Sequence, residues 1–280
     1  MKIGYQGSIG SYSYEATSLI FKNQKHYVEH TLSEDVFDSL KEKRIQMAVL
    51  PIENSIIGNI DINTELIYKN DISIVGEYYL PIKHILYCLG NENINTIDKV
   101  YSHPAALAQC QNFLKKYSIT PMIDFDTGGA CQKLEKGKYS AGSAVIAGPS
   151  CQKIFKNLLV LNKDIQNNKT NYTRFVTVKK SKSTLDHDGN KFSLSLITGH
   201  NPGALLEVLS IFRNLKINLT KLESMPIPTS PFEYTFFIDG EVTNKEDDIW
   251  IKLKKSLNNQ HVNFKFLGIY NTHQRHLWSK

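Results

Sequence analysis

Through its first 180 residues the chain alternates short apolar runs with mixed, helix-like stretches, and small or hydroxyl residues mark most of the joints. The run at 2–6 reads as a buried strand that stops at Gly7-Ser8-Ile9-Gly10-Ser11-Tyr12-Ser13, and a helix is expected near 14–22. The order repeats with a strand at 27–30, a helix at 32–43 introduced by Thr31 or Ser33, and a buried strand at 45–52. Residues 72–89, rich in Ile, Tyr, Val and Leu, predict two strands or one long bent strand, with Pro81 at a boundary or an edge. Three further units follow: 100–104 leading into a helix at 105–116, a strand at 119–125 with a helix from Asp126 through Lys136, and a strand at 143–147 with a helix reaching about Lys156. After 158–162 and a polar loop comes Asn171-Tyr172-Thr173-Arg174 and the β-rich Phe175-Val176-Thr177-Val178. A strand there sends Thr173 and Arg174 to opposite sides.

Beyond a polar stretch at 179–191, read as a linker, the order of elements changes. Residues 192–198 alternate as a strand, and 203–215 form an amphipathic helix with Leu205, Leu206, Val208, Leu209 and Phe212 on one broad face. An antiparallel pair at 217–224 and 233–239, a helix at 247–257 and a strand at 262–270 complete a βαββαβ, ferredoxin-like plan. Such a small sheet keeps an edge that invites pairing with a second copy.

A chain of 280 residues with 41% hydrophobic content has room for two domains with their own cores. The N-terminus reaches a glycine turn too soon for the apolar centre of a signal peptide, and no run approaches the roughly 18 apolar residues of a membrane span. Cys88, Cys110, Cys131 and Cys151 lie about twenty residues apart, a spacing that fits neither a C-x-x-C site nor a small disulfide scaffold. Reduced thiols and a cytoplasmic location are expected. The net charge of +6 comes from scattered lysines, without RNP-like aromatics or zinc-finger spacing, so nucleic acid is not the expected partner. A modest positive bias instead suits the collection of a small anion.

The candidate chemistry sits at the strand ends. Glycines at 7 and 10 let backbone N–H groups approach a ligand, and Ser11 or Ser13 either caps the following helix or donates to an anion. Glu53, Asn54 and Ser55 leave an apolar strand together and cannot all be packed inward cheaply, which puts them at a cleft lip. Ser102 or His103 precedes a helix whose first turn suits Pro104, with Gln109 about one and a half turns further on. Asp126-Thr127-Gly128-Gly129 opens another helix. Several helix N-termini pointing into one crevice predict an anion site without a metal.

Taken together these motifs resemble prephenate dehydratase in its monofunctional form with a C-terminal ACT regulatory domain. The matching pieces are the Gly7 to Ser13 turn, Pro51-Ile52-Glu53-Asn54-Ser55 with Gly58, Ser102-His103-Pro104 with Gln109, the segment 126–130, and Thr173-Arg174-Phe175. In the C-terminal part, Asn201-Pro202-Gly203-Ala204-Leu205 and Glu223-Ser224-Met225-Pro226 match the Gly-Ala-Leu and Glu-Ser-Arg-Pro elements, with Met225 in place of the usual arginine. The opening Gln6-Gly7 and the segment 126–129 also look like the arogenate dehydratase branch.

The resemblance implies an α/β protein: a catalytic domain over 1–180 with two lobes like a type II periplasmic binding protein, a linker at 181–191 and an ACT domain over 192–275. The lobes are expected at about 1–78 with 160–180, and at 79–159. It implies a carbon–oxygen lyase that converts prephenate to phenylpyruvate without a cofactor, since aromatisation drives the loss of carbon dioxide and hydroxide. Thr173, Asn54, Gln109 and Glu53 are the implied catalytic residues. Ser11, Ser13, Ser55, Ser102, His103, Thr127, Gly128, Arg174 and Phe175 are the implied substrate contacts. Phenylalanine is the implied effector, held by Asn201, Gly203, Ala204, Leu205, Glu223, Ser224 and Met225 in a homodimer or homotetramer. An arogenate dehydratase and a non-catalytic amino-acid sensor are the alternatives.

Overall fold

The structure, a computed structural model, describes all residues except 25, 91, 182–188, 200, 228, 243–247 and 273–280, and it leaves out the side chains of 231 and 232. By its contacts the chain divides into two units, Met1–Asn63 with Tyr78–Val176, and Thr64–Glu77 with Thr177–Lys280.

In the first unit β1 (Lys2–Gln6) lies between β2 (His26–His30) and β3 (Met47–Asn54), parallel to both, with Ile3 opposite Tyr27 and Met47. The sheet runs β2-β1-β3-β11-β5, where β5 is Ile72–Pro81 and β11 is Tyr172–Lys180, strands whose residues 72–77 and 177–180 count with the second unit, and the two-residue β4 (Gly58–Asn59) folds back on β3. Helices α1 (Tyr12–Ile20) and α2 (Ser33–Lys41) connect the first three strands. Ile3, Ala16, Val49, Leu80 and Phe175 form their shared core.

A second sheet, β10-β6-β9-β7-β8, is built from β6 (Ile85–Leu89), β7 (Lys99–Ser102), β8 (Thr120–Ile123), β9 (Ser143–Ala147) and β10 (Leu158–Asn162). Alternation along β6 and β9 sends Leu86, Cys88, Ala144 and Ile146 into one core and Ile85, Tyr87, Val145 and Ala147 into another. Helices α4 (Pro104–Gln109) and α5 (Gln111–Lys116) cover the first face, while α6 (Thr127–Glu135) and α7 (Ser150–Ile154) cover the second. Burial on both faces is why these strands read as unbroken apolar runs. Two lobe boundaries move relative to the sequence reading. β5 keeps Tyr78–Pro81 in the first sheet, and β10 keeps residues through Asn162 in the second.

The helix expected at 105–116 is broken at Cys110. Asn167 inserts there: its backbone N–H takes the Gln109 carbonyl at 2.7 Å, and its side-chain oxygen takes the Asn112 N–H at 3.1 Å. Those groups would otherwise bond along the helix. Helix α3 (Asp61–Lys69) was not anticipated, because Asp61, Asn63 and Thr64 in its first turn are residues that favour loops.

The second unit carries an antiparallel sheet, β13-β14-β12-β15, made of β12 (Lys191–Ile197), β13 (Asn218–Ile227), β14 (Ser230–Glu241) and β15 (Asn263–Tyr270). With α8 (Ala204–Asn214) and α9 (Ile249–Asn259) this is the expected βαββαβ order. Phe192, Leu194 and Leu196 meet Val208, Phe212, Leu253 and Leu257 in its core. Of the expected linker, 182–188 lie outside the described residues, as does Asp247, and Lys191 already belongs to β12. Among the described residues, no helix is long and apolar enough to cross a membrane.

Candidate active site

Within the first unit a cleft of about 500 Å³ opens where the starts of α1, α4 and α6 face the end of β3 and the beginning of β11. Local chemistry sets each helix start. Ser11 Oγ accepts the Tyr14 N–H at 3.2 Å, His103 Nδ1 accepts the Ala105 N–H at 3.2 Å ahead of Pro104, and Asp126 Oδ1 accepts the Gly129 N–H at 2.6 Å. Asp126 Oδ2 also takes the Ser8 N–H at 2.8 Å, which ties α6 to the glycine-rich turn.

Asn54 organises the far side. Its Oδ1 accepts the backbone N–H groups of Ile56 and Ile57, both at 3.0 Å. A backbone N–H only donates, so the amide orientation is settled and Nδ2 faces Asn171 Oδ1 at 2.8 Å and Thr173 Oγ1 at 2.9 Å. The same logic runs onward. With its oxygen used, Asn171 donates from Nδ2 to Gln109 Oε1 at 2.8 Å. His84 Nε2 stands 2.7 Å from that same oxygen and therefore carries the proton, while His84 Nδ1 lies 2.7 Å from the Tyr12 hydroxyl, which also reaches the Lys83 carbonyl oxygen at 2.9 Å. Burial holds His84 below the ordinary histidine range, with the Gln109 hydrogen bond opposing, so the ring is neutral at pH 7. Burial and the nearby Glu15 keep Tyr12 protonated.

The expected residues divide into two groups. Ser11, Ser13, Asn54, His103, Gln109, Thr127, Thr173 and Phe175 line the cleft. Five others do not, each because of a neighbour brought from elsewhere in the chain. Ser102 is fully buried and donates to the Ile146 carbonyl at 2.6 Å. Ser55 is stapled to β11, its N–H on the Tyr172 carbonyl at 2.8 Å and its Oγ accepting the Tyr172 N–H at 2.9 Å. Arg174 points away from Thr173, is 2% exposed and lies 3.7 Å from Glu53, which accounts for Glu53 as well. At Gly128 a Cβ would come within 2.4 Å of the Ile9 carbonyl oxygen, so the glycine provides clearance between α6 and the turn rather than a contact. Tyr12, His84, Asp126 and Asn171 were missed as site residues. Asn171 stood beside Thr173 in the motif, but its role depends on Gln109, 62 residues away.

A family model described as prephenate dehydratase matches residues 3–183. The chain belongs to the prephenate dehydratase family. Prephenate dehydratase of Bacillus subtilis is 30% identical over 287 residues, covering 98% of this chain and all of its own. The chloroplastic arogenate dehydratase/prephenate dehydratase 2 of Arabidopsis thaliana is 32% identical over 258 residues, covering 88% of this chain and 67% of its own. The fold matches that of prephenate dehydratase from Arthrobacter aurescens, solved in complex with L-Phe, with a TM-score of 0.86 at 22% identity, covering 97% of this chain and 90% of that one. In this dehydratase the implied effector residues fall on two elements of the second unit. Asn201 and Gly203, the latter at φ +89°, precede Ala204 and Leu205 in the first turn of α8, while Glu223, Ser224 and Met225 lie on the edge strand β13.

Proposed function

We propose that prephenate binds in this cleft with its ring hydroxyl at the Asn54–Thr173 corner, where carbon dioxide and the hydroxyl leave to give phenylpyruvate. Family membership makes the chain a carbon–oxygen lyase. The observation that carries the assignment is the Asn54 N–H directed at Thr173 Oγ1. The bond uses the threonine oxygen as an acceptor and leaves its own proton to serve as a donor to the departing oxygen. Threonine is too weak an acid to give up that proton unaided, so its work is to stabilise developing negative charge by hydrogen bonding. Gln109 has its oxygen fixed by Asn171 and His84, and it offers N–H groups to the substrate.

The substrate is a dianion, yet no lysine or arginine lines the cleft among the described residues. Its charge is met by the N-termini of α1 and α6 and by the hydroxyls of Ser11, Ser13 and Thr127. Arogenate differs by an ammonium group, which calls for a carboxylate. Asp126 is the lining carboxylate among the described residues, and both its oxygens already accept backbone N–H groups. This favours prephenate over arogenate, and a non-catalytic sensor needs no donor aimed at a leaving group. Incubation with each compound separately, following phenylpyruvate and phenylalanine, tests the assignment. Turnover of arogenate alone would overturn it.

Phenylalanine is the proposed effector, bound where the start of α8 and the edge strand β13 meet a second copy in a homodimer or homotetramer. The four buried, unpaired cysteines are in keeping with a cytoplasmic enzyme. Calorimetric titration with phenylalanine tests the effector, and no binding would remove it.

A further inference from the structure

Thr64–Glu77 keeps its contacts with the C-terminal unit, although the chain on both sides of it belongs to the catalytic unit. Two lysines of the four-stranded sheet hold this strap. Lys191 Nζ lies 2.8 Å from Glu77 Oε2, and both side chains are completely buried. Lys265 Nζ donates to the carbonyl oxygens of Tyr68 at 2.6 Å and Asn70 at 2.8 Å, around the end of α3 where a helix leaves carbonyls unpaired. The Tyr68 ring meets Phe237 of β14 edge-on at 5.6 Å. Gly268 of β15 approaches the strap so closely that a Cβ would lie 2.2 Å from the Ile74 carbonyl oxygen. A buried ion pair contributes little net stability over a well-packed apolar pair, but separating its members leaves an uncompensated buried charge, so the elements it joins stay together.

Both ends of the strap continue directly into the cleft wall. Ile57, Ile60 and Ile62 stand before it and line the cleft beside Asn54. After Glu77, β5 runs on to Pro81, and Ile82 and His84 line the cleft. His84 Nε2 donates to Gln109 Oε1 at 2.7 Å.

We propose that the Thr64–Glu77 strap, gripped by Lys191 and Lys265, transmits effector occupancy of the C-terminal unit to the cleft wall, an inference that rests on the phenylalanine reading above. The strap is held by two lysines of the sheet and runs at each end into a segment of the cleft wall, so a change in the sheet moves the Ile57 to Ile62 segment and the Ile82 to His84 segment together.

The test uses the full-length enzyme as a Lys191→Met/Glu77→Gln double variant and, separately, as Lys265→Met. The double variant removes both buried charges at once and so avoids stranding either. Phenylalanine affinity is measured by calorimetry and inhibition by prephenate turnover. Each variant is expected to bind phenylalanine within about threefold of the wild-type Kd while its coupling to turnover falls below about twofold, against the roughly 5–150-fold typical of allosteric pairs. Full inhibition retained in both variants overturns the proposal, as does a joint loss of binding and inhibition, which would make these lysines part of the effector site. Absence of phenylalanine binding to the wild type overturns the effector reading first and the strap with it. If the double variant does not fold, the Lys265→Met result decides between the same outcomes.

Discussion

Asn54 Nδ2 stands 2.9 Å from Thr173 Oγ1 across 119 residues of sequence, and this hydrogen bond uses the threonine oxygen as an acceptor without consuming its proton. Thr173→Val keeps the shape and removes the donor. A fall in kcat of about 10²–10³ is expected, in line with the loss of one transition-state donor, with KM changed less than about threefold. Steady-state kinetics with prephenate decide it, and near-normal turnover in a folded variant would take Thr173 out of the chemistry.

Asn171 does not line the cleft, yet it joins Asn54 to Gln109. Asn171→Ala leaves both partners short of a bond in a buried position. A stability loss of about 1–3 kcal/mol by urea unfolding is expected, together with a kcat reduced by about tenfold as Gln109 loses its orientation. Destabilisation with kcat unaltered would limit Asn171 to the scaffold.

Burial depresses the affinity of His84 for a proton in the folded protein, so the unfolded chain binds that proton more readily. Stability from the neutral ring is therefore complete above the unfolded value of about 6.5 and is lost as pH falls from there through the lower folded value. The urea midpoint of the wild type should drop between pH 7 and pH 5 more steeply than that of His84→Gln. Equal slopes would assign the acid loss to other groups.

Arg174 does not line the cleft and lies 3.7 Å from Glu53. Arg174→Ala is expected to reduce stability by about 2 kcal/mol through lost packing and pairing, while KM for prephenate in the folded fraction stays within about twofold. A KM raised tenfold at unchanged stability would return Arg174 to the substrate.

Gly128→Ala places a methyl group 2.4 Å from the Ile9 carbonyl oxygen, a clash that backbone movement alone relieves. The expected result is a KM raised by about tenfold as α6 and the glycine-rich turn separate, with smaller loss in kcat. Unchanged kinetics would show that the turn yields freely.

Much of the molecule is settled by local forces, and those are visible in a sequence. The apolar run at 143–147 becomes β9, Ser11, His103 and Asp126 become helix caps, and the order of elements after 191 is a βαββαβ sheet, because periodicity, capping and turn preference act over a few residues. The polar strand ends were also enough to locate a cleft. What a hydroxyl or a cation does there was not decided locally. Ser102, Ser55 and Arg174 have the right chemistry, but it is spent on Ile146, Tyr172 and Glu53, and residue type carries no direction. The break at Cys110 needs Asn167, the aim of Gln109 needs Asn171 and His84, and the grip on Glu77 needs Lys191, each brought from 25 to 114 residues away. Hydrogen bonds and ion pairs of that kind form only once the sheets have set the distances, so tertiary structure alone chose them.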